Sequence, residues 1–269
     1  MYIEPSALAR RIRAHSLRMV HQAGASHIGS SLSIADLLAV LYGCILKIDP
    51  KAPGPQRDHF LLSKGHAAAA LYATLAECGF FPIEELDSYC QDGSLLLGHS
   101  SHCVPGVEFS TGSLGHALPV PCGLALAAKR DRRPERVFAL LSDGELDEGS
   151  NWEAALFAPH HRLDNLTVIV DFNKIQSFGA VRDVLNLDPI GDKFKACQWA
   201  VREIDGHDIT QILSTLNSLP LETGKPSFIL ANTIKGKGIS FMEGKLAWHY
   251  KSPTGEQLLT ALEELGGGA

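Results

Sequence analysis

Short apolar runs that stop abruptly at acids, asparagine or glycine recur along the chain. Residues 136–141 (RVFALL) and 165–173 (NLTVIVDFN) are nearly continuous in apolar side chains, the pattern of strands covered on both faces. Residues 59–63, 200–206 and 226–233 have the same character. Between them lie helical stretches. Residues 6–23 carry Leu8, Ile12, Leu17, Met19 and Val20, and the alanine-rich 66–78 predicts a well-buried helix. Ser33 reads as an N-cap for residues 34–46, with Asp36 in the first turn. Further helices are predicted at 83–91, 150–158 and 208–218, and at 114–130 with a kink or delayed start imposed by Pro119 and Pro121. Strands alternating with helices predict an α/β fold, a doubly wound, mostly parallel sheet with helices on both faces. Pro53-Gly54-Pro55 predicts a loop and 264–269 (ELGGGA) a frayed end. Residues 92–113 are turn-rich but too apolar for a linker, which suggests a functional loop.

Composition adds limits. The 269 residues are 45% hydrophobic and 20% charged, enough for a sizeable core. Net charge is −6 with no basic stripe, so nucleic acid is not expected as a partner. The six cysteines form no CxxC pair and no zinc spacing, as in a reduced, cytoplasmic protein. Arginines near the amino terminus argue against a secretion signal, and no apolar run is long enough for a membrane span. Twelve histidines are many, and several sit beside glycine, which suggests turns that present imidazoles.

The stretch 140–153 (LLSDGELDEGSNWE) places four acids directly after a strand. Residues 137–173 form a strand–helix–strand unit, so Asp143 and Asn173 lie at the carboxyl ends of neighbouring strands, where ligands bind in such sheets. A carboxylate and an amide oxygen suit Mg²⁺, whose remaining positions a diphosphate could fill. Gly144 would let backbone approach a phosphate. An Asx turn capping the next helix is an equal reading of Asp143, although Asp147 or Ser150 could serve as that cap. No GxGxxG follows this strand and no GxxxxGK[ST] occurs, so dinucleotide and P-loop chemistry are disfavoured.

SDGELDEGSNWEA, followed by DFNKI, resembles the thiamine diphosphate motif. SHIGSSLSIADLLAVLY, DHFLLSKGHAAAALYATLAECG, GHSSHCVPGVEFSTGSLGHAL, IDGHD, PSFILANTIKGKG and AWHYKSPTGE resemble, in order, segments of the transketolase family. The likeness covers about residues 6–258 and is nearest to separately encoded N-terminal subunits. It implies a single thiamine diphosphate-binding domain over 1–269, with the pyrimidine domain on another chain. It implies Mg²⁺ on Asp143, Asn173 and the carbonyl of Ile175, and diphosphate contacts from Gly144, His66 and His249. The backbone of Gly112, Ser113 and Leu114 would line the aminopyrimidine. His27, His99 and His249 would face substrate, moving protons to and from hydroxyls. Glu148 and Glu153 match positions used at the subunit contact.

Several positions depart from the family pattern: Ser142, Phe172, His116, Ile28, Pro119, Pro121 and Tyr250. Most lie towards the substrate side, which implies an altered donor or acceptor. The implied activity is transfer of a two-carbon ketol unit from a ketose to an aldose or related acceptor, within an α₂β₂ assembly with a pyrimidine-domain subunit. The alternatives are a decarboxylating or acyl-transferring thiamine diphosphate enzyme and a non-catalytic scaffold subunit.

Overall fold

The computed structural model describes residues 4–51, 54 and 57–267. Pro53 and Pro55, and the last two residues of the expected frayed end, lie outside them. The elements run α1 (Pro5–Ala23), α2 (Ile28–Ser33), α3 (Ala35–Val40), β1 (His59–Leu62), α4 (Ala68–Glu77), α5 (Pro119–Arg130), β2 (Val137–Ser142), α6 (Gly149–His160), β3 (Leu166–Phe172), β4 (Ile175–Gln176), β5 (Gly179–Ala180), α7 (Val181–Val184), α8 (Ile190–Ala196), β6 (Ala200–Asp205), α9 (Ile209–Asn217), β7 (Ser227–Asn232) and α10 (Gly255–Glu264). The main sheet has the order β1-β2-β3-β7-β6 and every neighbouring pair is parallel. A small antiparallel pair, β4–β5, stands apart.

Strand side chains alternate between two cores, as the period of two requires. Phe138, Leu140, Ile169 and Ile229 point into one, with α1, α3, α4 and α9. Val137, Ala139, Leu141, Val168 and Phe228 point into the other, with α5, α6 and α8. Helices therefore cover both faces, as the patterning predicts. The proline-bearing helix starts late: Pro119 is its first residue, where a missing N–H costs nothing.

Three local expectations are corrected. Residues 83–91 form only a 3₁₀ turn, Ile83–Ser88. Ser33 caps nothing: it ends α2, and α3 begins after Ile34 without a side-chain cap. Its hydroxyl instead donates to Asp171 Oδ2 at 2.7 Å. Asp147 does not cap α6; it accepts from Gln176 Nε2 at 3.1 Å, and Ser150 donates to the Gly115 carbonyl. The α8 and α10 helices and the β4–β5 pair have no counterpart in the sequence patterning, although Thr254 and Gln257 form a capping box at α10.

At the carboxyl end of β3, Asp171 is fully buried and meets the ammonium of Lys64, also fully buried. Ser33, Thr233 and Asn173 donate to the same carboxylate. Burial pushes the Asp171 carboxyl up, but Lys64 and these donors outweigh it and hold the group below its ordinary value. One carboxylate thus ties α2, β3, the exit of β1 and the exit of β7. Removing one partner of a buried ion pair strands the other charge. Lys64→Met is expected to cost about 3–5 kcal/mol, measured by urea unfolding; a loss below about 1 kcal/mol, the range of an exposed pair, would contradict this reading.

Candidate active site at the carboxyl ends of β2 and β3

The register pairs Ser142 with Asp171, so the residues that follow β2 and β3 leave the sheet side by side. Asp143 accepts from Gly144 N at 2.8 Å and from Lys174 N at 2.5 Å. Lys174 itself has a left-handed backbone, with φ of 69°. The Asx-turn reading of Asp143 is therefore real in part, but the carboxylate also bridges two strand ends. Asn173 donates its amide to Asp171 Oδ2 at 2.9 Å, and its Oδ1 accepts from Ile175 N at 3.1 Å. That leaves oxygen lone pairs on both side chains.

These residues open into a cavity of about 220 Å³. His27, His66, His99 and His249, from four distant parts of the chain, line it together with Gly112, Leu114, Gly144 and Ile175. Ring centroids lie 5.2 Å apart for His27 and His66, 5.8 Å for His27 and His99, and 4.9 Å for His27 and His249. His27 reaches inward from a left-handed backbone, φ 71°, and its N–H donates to the His249 carbonyl at 2.9 Å. At Gly144 a Cβ would lie 2.8 Å from Gln176 Cβ, so only glycine fits between the strand end and β4. Ser113 is exposed and does not line the cavity; Glu148 and Glu153 lie outside it, exposed on and before α6. His102 is exposed and paired with Ser110, also outside it.

Three buried charged residues complete the site, and no local motif marks any of them. Glu145, which sits where it would repel a phosphate, turns inward and is fully buried. It accepts from Ser63 Oγ, from Gly115 N at 3.0 Å and from Ser142 N at 3.3 Å, and so fixes the 112–115 loop against β2. Lys64 lies beneath the histidines. Lys235, 1% exposed, directs Nζ to Ser30 Oγ at 3.3 Å, the Ile175 carbonyl at 3.1 Å and His249 Nδ1 at 3.0 Å. None of these partners is a carboxylate. Burial and then the nearby Lys64 bring the Lys235 ammonium down to about 8.

The donor chemistry suits a hard cation and an anion together. Asp143, the Asn173 amide and the Ile175 carbonyl are all oxygen donors carrying one negative charge. Among the described residues no cluster of three histidine, cysteine or acidic side chains could hold a metal alone. A cation here would complete its shell with waters or with ligand oxygens, and Lys235, whose hydrogen-bond partners are all neutral, offers an anion a positive charge.

Residues 5–267 match the family described as transketolase, thiamine diphosphate binding domain. The chain belongs to the transketolase family. It is 45% identical over 262 residues to the 6-deoxy-6-sulfo-D-fructose transketolase subunit SqwG of Clostridium sp. (strain MSTE9), covering 96% of this chain and 94% of that protein. It is 45% identical over 265 residues to an apulose-4-phosphate transketolase subunit from Actinobacillus succinogenes, covering 98% and 95%. Transketolase from Leishmania mexicana superposes with a TM-score of 0.92 at 29% identity, over 99% of this chain and 42% of that longer one. The fold and the thiamine diphosphate-binding character are thus those of the transketolase diphosphate domain. Among the described residues no helix is long and apolar enough to cross a membrane.

In this transketolase domain the imidazoles are held neutral. Burial first, then neighbouring cations and histidines, lowers His249 to about 3 and His27 to about 4; burial also lowers His66 and His99. Because Lys235 donates to His249 Nδ1, the His249 proton sits on Nε2. A base whose value falls on folding makes the unfolded chain take up more protons than the folded one. Stability is therefore expected to drop as pH falls from about 6.5 towards 4. His249→Gln should flatten that slope in denaturant titrations run across the window; an unchanged slope would contradict a buried neutral His249.

Proposed function

We propose that the chain is the diphosphate-domain subunit of a split transketolase, transferring a two-carbon ketol unit from a ketose to an aldose or related acceptor. The observation that carries this reading is the convergence of four neutral imidazoles on a cavity lined also by Asp143, Asn173 and Lys235, whose ammonium has only neutral hydrogen-bond partners. Asp143, Asn173 and the Ile175 carbonyl would hold Mg²⁺. His66, Gly144 and Lys235 would receive the diphosphate of thiamine diphosphate, and the 112–114 backbone its aminopyrimidine. The cofactor, when bound, supplies the nucleophilic carbon and the electron sink.

The chain's own residues handle orientation and protons. His27, His99 and His249 line the cavity as neutral groups, able to donate to and accept from sugar hydroxyls near pH 7. His249 Nε2–H would hydrogen-bond a substrate oxygen, with Nδ1 anchored on Lys235. Glu145 keeps the 112–115 loop at a fixed height above β2, so the aminopyrimidine and diphosphate regions are held in one geometry.

A second chain would complete the site. Both bacterial relatives are named as parts of transketolases, and nearly all of each one's length aligns here. Leu156, 66% exposed, and Phe157 lie on α6 beside Glu153, an apolar and acidic face directly after the cofactor loop. The pyrimidine-domain subunit would seat there, giving α₂β₂. Assayed alone with thiamine diphosphate and Mg²⁺, the chain is expected to show no ketol transfer; adding the partner subunit restores it. Robust turnover by the chain alone would contradict the split. With the partner present, Asp143→Asn should lower activity by about 10²-fold or more, rescued in part by high Mg²⁺; wild-type activity would remove Asp143 from the site.

A further inference from the structure

His207 lies outside the cavity, in the turn between β6 and α9, yet it grips the loop that delivers Lys235. Its side chain is 11% exposed. Nδ1 lies 2.8 Å from Asp36 Oδ2, and Nε2 accepts the backbone N–H of Ile234 at 2.9 Å. An imidazole nitrogen that accepts carries no proton, so the ring is the Nδ1–H tautomer with both nitrogens satisfied. Asp36 is locked in turn. Arg13 donates Nη1 to Oδ1 at 3.0 Å and Nη2 to Oδ2 at 2.6 Å, while its Nε donates to the Lys237 carbonyl at 3.0 Å.

The 233–238 loop is thus held from behind at Ile234 and Lys237. On the cavity side Gly236 N donates to the Gly29 carbonyl at 2.9 Å, and Lys235 sends its ammonium to Ser30, Ile175 and His249. Gly206, just before His207, packs so closely on Thr233 that a Cβ would collide with its methyl group. Loop, turn and α3 form one rigid wedge.

We infer that His207 is a positioning residue: by holding the Ile234 N–H against Asp36 and Arg13, it sets where Lys235 Nζ stands in the cavity. The inference rests on the proposed function for its consequence, diphosphate binding, but its structural core is testable without any cofactor. His207→Phe keeps the ring shape and removes both nitrogens. His207→Asn, a milder change, can still donate to Asp36 but is too short to accept from Ile234.

The test is competitive acylation of lysines in the full chain, read by mass spectrometry. Lys64, as buried as Lys235 but carried by the β1 exit, is the internal control. In either variant Lys235 is expected to label faster by about fivefold, the factor for one net hydrogen bond, while Lys64 stays unchanged. Equal rises at both lysines would show general loosening and overturn the inference, as would no change at Lys235. Thiamine diphosphate titration with Mg²⁺ and the partner subunit, monitored by tryptophan fluorescence, reads the consequence: weaker binding by about fivefold in the variants, and wild-type affinity would overturn the link to the ligand. If the wild-type assembly binds no thiamine diphosphate, the proposed function fails, and the labelling result still decides the role of His207.

Discussion

The buried pairing of Lys64 with Asp171 is the constraint on which the site depends. Two charges are taken wholly out of water at the carboxyl edge of the sheet. Such a pair is a poor source of net stability, because desolvation of both ions opposes their attraction. What it supplies is position. Asp171 can stay charged only if Lys64, Ser33, Thr233 and Asn173 all meet it, and these come from four separate segments. The Asn173 amide is oriented by that bond, with its nitrogen on Asp171 and its oxygen, which accepts from Ile175 N, keeping a second lone pair. The strand ends, α2 and the histidine loops therefore share one geometric reference.

A second imbalance sits on top of the first. Asp171 pairs directly with Lys64, but Ser30, Ile175 and His249, the hydrogen-bond partners of Lys235, carry no negative charge, and Asp143 and Asp171 act on it only from a distance. Four imidazoles, neutral through burial and, for His27, His66 and His249, through the nearby lysines as well, surround the remaining space. On the proposed function a polyanion with a divalent cation would balance this arrangement: the anion would meet Lys235, and the cation Asp143, whose own carboxyl is pushed up to about 6 by burial and by Asp171. Preorganised charge of this kind needs no rearrangement when the ligand arrives. The transketolase membership and this balance point the same way by independent routes.

Much of the fold was readable because its signals are local. Continuous apolar runs mark the buried strands, and a strand–helix–strand unit is enough to bring Asp143 and Asn173 together. Glycine close to histidine flagged His27, His66 and His99, whereas His249, with no glycine beside it, came only from the family resemblance. Lys64, Lys235, Asp171 and Glu145 gave no such signal. Each sits in a segment that could equally face solvent, and each is buried only by contacts far away in the chain, such as Lys64 with Asp171 or Glu145 with Ser63. Ser33 shows the competition directly. As a cap its oxygen would accept from helix N–H groups, but here its hydroxyl donates to the buried Asp171 carboxylate, a charge-assisted bond stronger than a neutral one. Residues 83–91 failed as a helix because their few turns have little apolar surface to bury; only Leu86 and Tyr89 are inside.

The central claim is that one point above β2 and β3 holds a divalent cation and a diphosphate on Asp143, Asn173 and the Ile175 carbonyl. Anomalous diffraction from crystals of the chain with its partner subunit, Mn²⁺ and thiamine diphosphate locates the cation directly. The account predicts one manganese peak within direct coordination distance, about 2.0–2.3 Å, of all three protein oxygens, with diphosphate oxygens completing its shell. A manganese ion and cofactor bound elsewhere, with Asp143 and Asn173 free of both, would contradict it.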